Sequence, residues 1–134
     1  MRHLLLLVCL VAACDSPTSG DGSAQDVRGG WEYHATQTTP SLDIAGVLHI
    51  TDQEGAAFSG TVSFTETDVQ GTRYTRAGAV SGRIVGSDVA DIDVYVDTQV
   101  RRHVGRVAAD SMTGTWSVTG AATLSGSFTA RRVP

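Results

Sequence analysis

Between residues 44 and 128 the chain repeats one short unit six times: a large apolar or aromatic residue, any residue, glycine, any residue, another large residue. The units centre on Gly46, Gly60, Gly82, Gly105, Gly114 and Gly126, and Ile44/Leu48, Met112/Trp116 and Leu124/Phe128 are typical flanks. Strand side chains alternate between faces, so each glycine shares a face with its large neighbours. A glycine inside a strand loses packing area and costs backbone entropy, and its recurrence on the buried face needs a structural reason. Curvature is that reason. A sheet that closes on itself bends where a residue lacks a Cβ, and a large cross-strand neighbour covers the gap.

The rest of the domain agrees with a closed sheet. From Trp31 to Arg132 period-two alternation recurs and helical periodicity is absent, with turn signals such as Gly55, Gly71, Gly86-Ser87-Asp88 and Gly120 between the runs. The pattern predicts eight strands near 31–38, 43–51, 56–66, 73–85, 89–97, 100–109, 112–119 and 122–132. Each gap is too short for a crossover, so sequence neighbours pair antiparallel. The predicted fold is all-β, an up-and-down eight-stranded meander closed into a small barrel, which removes the edges an open meander would expose.

Aromatic-over-glycine pairing suggests registers. Val118 opposite Leu124 sets Trp116 on Gly126 and Phe128 on Gly114. A similar choice sets Leu48 on Gly60 and Val62 on Gly46. A turn at Thr98-Gln99 sets Asp91 opposite Arg106 and Tyr95 opposite Arg102.

The amino terminus gives an address. Met1-Arg2-His3 precedes a ten-residue apolar run, Leu4 to Ala13, about half of the roughly 20 residues that span a bilayer. A short basic start, an apolar run and small residues before a cut make a secretory signal. Val11-Ala12-Ala13-Cys14 resembles the lipobox of bacterial lipoproteins, a resemblance implying cleavage after residue 13, lipidation of Cys14 and attachment to an envelope membrane. An ordinary peptidase cut near Ala13 and an uncleaved anchor are the competing readings. The chain then divides into a signal peptide at 1–13, a lipidated Cys14 with a polar Gly/Ser-rich tether through 29, and a barrel at 30–134. Which membrane holds it is left open by these residues.

Once residues 1–13 are removed no thiol other than Cys14 remains for a disulfide, a redox pair or a cysteine metal site. The remaining nine Arg, no Lys and 14 carboxylates leave about five net negative charges, which argues against a nucleic-acid binder.

Gly29-Gly30-Trp31 on the first strand, the eight-strand meander and Arg131-Arg132 at its end resemble the calycin group of lipocalins, fatty-acid-binding proteins and avidins. The resemblance implies that Trp31 and Arg131 or Arg132 close one end of the barrel, with the arginine packed across the indole. This barrel is shorter than a typical lipocalin, lacks a long lid loop after the first strand and has no match to the biotin-gripping residues of avidins. Ligand identity therefore does not carry over.

Groups with chemistry are sparse. His34 and His49 fall on the outer face and His103 on the inner one, with no ligand spacing for a metal. No nucleophile elbow occurs, so no catalytic residues, metal or cofactor are assigned and the chain is read as a non-enzyme. Asp91, Asp93, Tyr95 and Asp97 alternate onto the outer face, where charge pairs with the next strand account for them. Glu66, Arg76, Arg101 and His103 are the unusual set, polar groups on the inner face near one rim, which must be paired, wetted or used. With Tyr74 they outline a candidate mouth for a small anionic or amphipathic ligand, and a barrel that carries a small hydrophobic or amphipathic molecule predicts a cavity of a few hundred cubic ångströms. The alternative is a filled barrel that acts on an envelope protein partner, as compact inhibitors do.

Overall fold

A computed structural model describes residues 23–118, 120 and 124–134. The signal segment at 1–13, Cys14 and the tether as far as residue 22 lie outside the described residues.

Eight strands form one closed antiparallel barrel in chain order: β1 (Gly29–Gln37), β2 (Leu42–Glu54), β3 (Ala57–Asp68), β4 (Arg73–Val85), β5 (Val89–Val96), β6 (Gln99–Val107), β7 (Ser111–Val118) and β8 (Leu124–Arg132). Closure is by β1 against β8, where Trp31 pairs with Arg132 and Gln37 with Gly126. No helix occurs among the described residues. Inward positions alternate with exposed ones along each strand, as in β5, where Ala90, Ile92, Val94 and Val96 are buried.

Cross-strand registers pair aromatic rings with glycines five times: Tyr33 and Phe64 with Gly46, one from each side, Phe58 with Gly82, Trp116 with Gly126 and Phe128 with Gly114. At Gly126 the reason is direct. The Trp116 indole lies over it and donates its Nε1–H to the Thr36 carbonyl of β1, 3.0 Å away. A Cβ at 126 would collide with both that carbonyl and the indole nitrogen. A seventh inward glycine, Gly78, meets the Tyr95 carbonyl in the same way. It escapes the repeat because Arg76, not an apolar residue, precedes it by two.

The β7–β8 register matches the sequence-based one. Two others are displaced by two residues. In β2–β3, Leu48 pairs with Val62 and Ile50 with Gly60, because the hairpin turns tightly at Gly55-Ala56 and β2 runs through Glu54. That tight turn alone would set inner residues of β2 opposite outer residues of β3. An irregularity at Thr51, between the Ile50 and Asp52 pairs, adds one residue and restores the match of faces. In β5–β6 the turn is Asp97-Thr98 rather than Thr98-Gln99, so Tyr95 pairs with Val100 and Asp93 with Arg102. Asp97 has φ of 53°, a left-handed conformation that aspartate tolerates better than threonine or glutamine. The outer charges then pair diagonally, Arg102 with Asp91 at 2.6 Å, while Arg106 reaches Asp88 beyond the strand. A shift of two leaves every side chain on its face, so Arg101 and His103 still point inward.

The two ends of the barrel differ. One end, the floor, carries the start of β1, the end of β8 and the turns at Gly55, Gly86 and Asp110. The other, the mouth, carries the β1–β2, β3–β4, β5–β6 and β7–β8 connections. On the floor, residues expected to belong to the tether are fixed in place. Val27 is fully buried, its N–H donating to Gln53 Oε1 at 2.8 Å and its carbonyl accepting from Trp31 Nε1 at 2.9 Å. Gln53 also donates to the Gln25 carbonyl. Arg132 stacks on Trp31, 4.4 Å from the ring centroid, and donates to the carbonyls of Ala109, Arg28 and Asp26. Of the two arginines considered for this place only Arg132 takes it. Arg131, one residue away, faces outward and is exposed.

Candidate functional site

Three strands bring the inner polar groups together below the mouth. Glu66 ends the inner face of β3, Arg76 begins that of β4, and Arg101 and His103 come from β6. Glu66 is buried and accepts from Arg101 Nη2 at 2.6 Å and from Arg76 Nε at 3.1 Å. Arg76 is about a third exposed and passes on to Asp97 at the rim. The β5–β6 turn thus takes Asp97 out of the outer acidic row in which simple alternation placed it, and its carboxylate completes a chain Arg101–Glu66–Arg76–Asp97. Hydrogen bonding to Glu66 pushes the Arg76 guanidinium above its ordinary pKa.

Arg101 is 5% exposed. Its guanidinium lies over the rings of Phe64 and Trp116, 5.2 and 5.4 Å from their centroids. Its Nε and Nη1 are buried without a hydrogen-bond partner among the described residues. Leaving buried donors unmet costs about 1 to 3 kcal/mol each, so their persistence calls for a reason.

His103 lies one step deeper. Its Nδ1 is 3.0 Å from the Arg101 carbonyl, which only accepts, so Nδ1 carries the proton. Nε2 of the neutral ring then accepts from the Tyr33 hydroxyl at 2.9 Å. Burial, with the Arg101 charge acting in the same direction, lowers the His103 pKa to about 4, and burial pushes the Tyr33 phenol up. Phe128 meets the imidazole edge-on at 4.9 Å and Trp116 stacks at 6.2 Å. Aromatic side chains therefore fill this layer of the barrel, as in the filled-barrel alternative, where a carrier would need a cavity. Tyr33 was legible as an inward residue from alternation, but its hydrogen bond to a histidine 70 residues away was not.

Tyr74 pairs with Glu66 on the ladder but stands 47% exposed, on the part of β4 that overhangs β5. It belongs to the rim rather than to the buried set. Gln37, also buried, donates to the Pro40 carbonyl and ties the β1–β2 connection to the mouth. Among the described residues no three His, Cys, Asp or Glu side chains gather as a metal site would require. His34 and His49 are exposed on the outer wall. The buried set offers charge, hydrogen-bond donors and aromatic faces, and its one imidazole is held on both nitrogens.

No family model matches the sequence, and no curated protein matches it. Solved structures do match in fold. EF1p2_mFAP2b bound to DFHBI superposes with a TM-score of 0.66 at 14% identity, covering 79% of this chain and 93% of that one. The redesigned β-barrel mFAP1 bound to DFHBI gives 0.61 at 13% identity, over 78% and 94% of the two chains. A fluorescence-activating β-barrel designed de novo gives 0.54 at 14% identity, over 79% and 93%. The likeness extends across the whole barrel and is one of fold.

Proposed function

We propose that the chain is the ligand-binding barrel of a bacterial envelope lipoprotein, anchored through Cys14, which takes a small hydrophobic or amphipathic molecule at its mouth and catalyses no reaction. The carrying observation is Arg101, buried at the mouth with two guanidinium nitrogens, Nε and Nη1, unmet among the described residues. A binding site is the setting in which such donors persist, because a ligand supplies the acceptor that the protein withholds. That barrels of this fold, mFAP1 among them, are bound to DFHBI supports the same reading. The packed interior sets a limit. The ligand's polar end reaches the Arg101 layer and the remainder stays among rim residues such as Tyr74, which makes the protein a shallow receptor.

Anchoring and binding are tested separately. Metabolic labelling with a fatty-acid analogue should mark the parent chain and not Cys14→Ser, which should be released from the membrane; equal labelling would refute the anchor. Native mass spectrometry of protein from its own host should show a small co-purifying mass that is lost in an Arg101→Met, Glu66→Gln double variant. A bare spectrum for the parent would favour the second reading, a filled barrel engaging an envelope protein partner, which the packing of Tyr33, Trp116 and Phe128 around His103, with Phe64 against Tyr33, favours.

A further inference from the structure

We infer that the mouth selects a neutral hydrogen-bond acceptor, such as an alcohol, ketone or ester oxygen on a short apolar chain, and rejects carboxylates; this rests on the mouth being a ligand site. A buried arginine ordinarily suggests an anion. Here the charges are already balanced. Arg101, Glu66, Arg76 and Asp97 alternate in sign along one hydrogen-bonded chain, two cations against two anions. A ligand carboxylate on the free N–H groups of Arg101 would sit close to the carboxylate of Glu66, which occupies the same guanidinium at 2.6 Å. Like charges sharing one buried site disfavour the charged form of each. A neutral oxygen satisfies the donors and adds no charge.

Geometry narrows the approach further. Phe64 and Trp116 cover the guanidinium, so an acceptor must come in near its plane, toward Nε or Nη1. Arg76 forms the outer layer above the Glu66–Arg101 pair, about a third exposed, and on the same rim Val69 of the β3–β4 connection and Tyr74 at the start of β4 are exposed. Those two supply apolar surface for a tail that the packed interior cannot admit.

The test uses the purified protein and two probes of equal chain length, 1-octanol and octanoate, at neutral pH. The Arg101 Nε–H resonance is followed by NMR and affinity by calorimetry. Octanol should shift that resonance and bind about tenfold or more tighter than octanoate. Tighter binding of octanoate would overturn the inference and leave the mouth reading intact; no shift with either probe would remove both. Charge variants isolate the cause. Glu66→Gln should raise octanoate affinity by about tenfold. Asp97→Asn should raise it less, and is the safer variant because it alters an exposed side chain and asparagine also accepts a positive φ. Unchanged octanoate affinity in a folded Asp97→Asn protein, together with unchanged or unmeasurable affinity in Glu66→Gln, would overturn the charge argument.

Discussion

The barrel holds one arginine on an aromatic ring at each end, and the two are used differently. Arg132 at the floor stacks on Trp31 and places Nε, Nη1 and Nη2 on three backbone carbonyls. Arg101 near the mouth lies over two rings, gives Nη2 to Glu66 and leaves Nε and Nη1 without partners among the described residues. Carbonyl partners are neutral and belong to the backbone, so the floor is a fastening: it ties the amino-terminal segment to the last strand with every guanidinium nitrogen engaged. The partner of Arg101 is a charged side chain shared with Arg76. Engaged at all three nitrogens at one end and at one nitrogen at the other, the same residue type serves closure at the floor and, in the proposed reading, recognition at the mouth.

Removing Arg101 should have the largest effect. Arg101→Met strips the buried Glu66 of one of its two cations, and breaking such a pair costs about 3 to 5 kcal/mol. Urea unfolding should show that loss, and adding Glu66→Gln should recover most of it. Equal stabilities for the single and double variants would mean that the pair is no more buried in solution than the floor arginine.

Acid should separate the mouth from the floor next. The unfolded His103 takes up a proton near pH 6.5, whereas the folded ring does so near 4. The depressed value means that the unfolded state binds more protons between those limits. Stability is therefore fully present above about pH 6.5 and falls as pH drops toward 4, by about 3 kcal/mol over the window. His103→Gln should flatten this slope, measured as melting temperature against pH, while floor variants should retain it.

Arg132→Met should cost less, about 1 to 2 kcal/mol, because water can replace its partners at the partly exposed carbonyls. Its distinctive sign should be early proteolytic cleavage around Gln25 to Arg28. Arg132→Lys should not restore protection, since an ammonium lacks the fork that reaches three carbonyls. The outer wall supplies the baseline. Arg102→Met removes an exposed pair with Asp91 and should leave the melting curve within error of the parent.

Much of this contrast can be read in the sequence because a strand carries its own inside-outside rule. Alternation puts Glu66, Arg76, Arg101 and His103 on the inner face, and the glycine unit locates the aromatic pairs of the last hairpin. What alternation cannot supply is the position along a ladder. That depends on turns and bulges, which is why Leu48 pairs with Val62 rather than Gly60 and why Asp97 meets Arg76 at the rim. Partners distant in sequence are hidden for the same reason, as with Tyr33 and His103. Residues 25–28 read as tether because their composition is polar; their attachment runs through backbone groups and the side chains of Gln53 and Arg132, which composition does not record.

The irregularity at Thr51 carries a consequence for how such a chain can change length. In an open sheet a strand that gains or loses one residue can let the slip run out at a free edge. A ring of eight strands has no edge, and a single deletion in β2 would turn part of that strand inside out against both neighbours. Thr51 acts as a parity bit that reconciles a two-residue turn with matching faces. Insertions and deletions within the wall should therefore be tolerated in twos, or singly only at Thr51 when the adjoining turn changes by one residue as well.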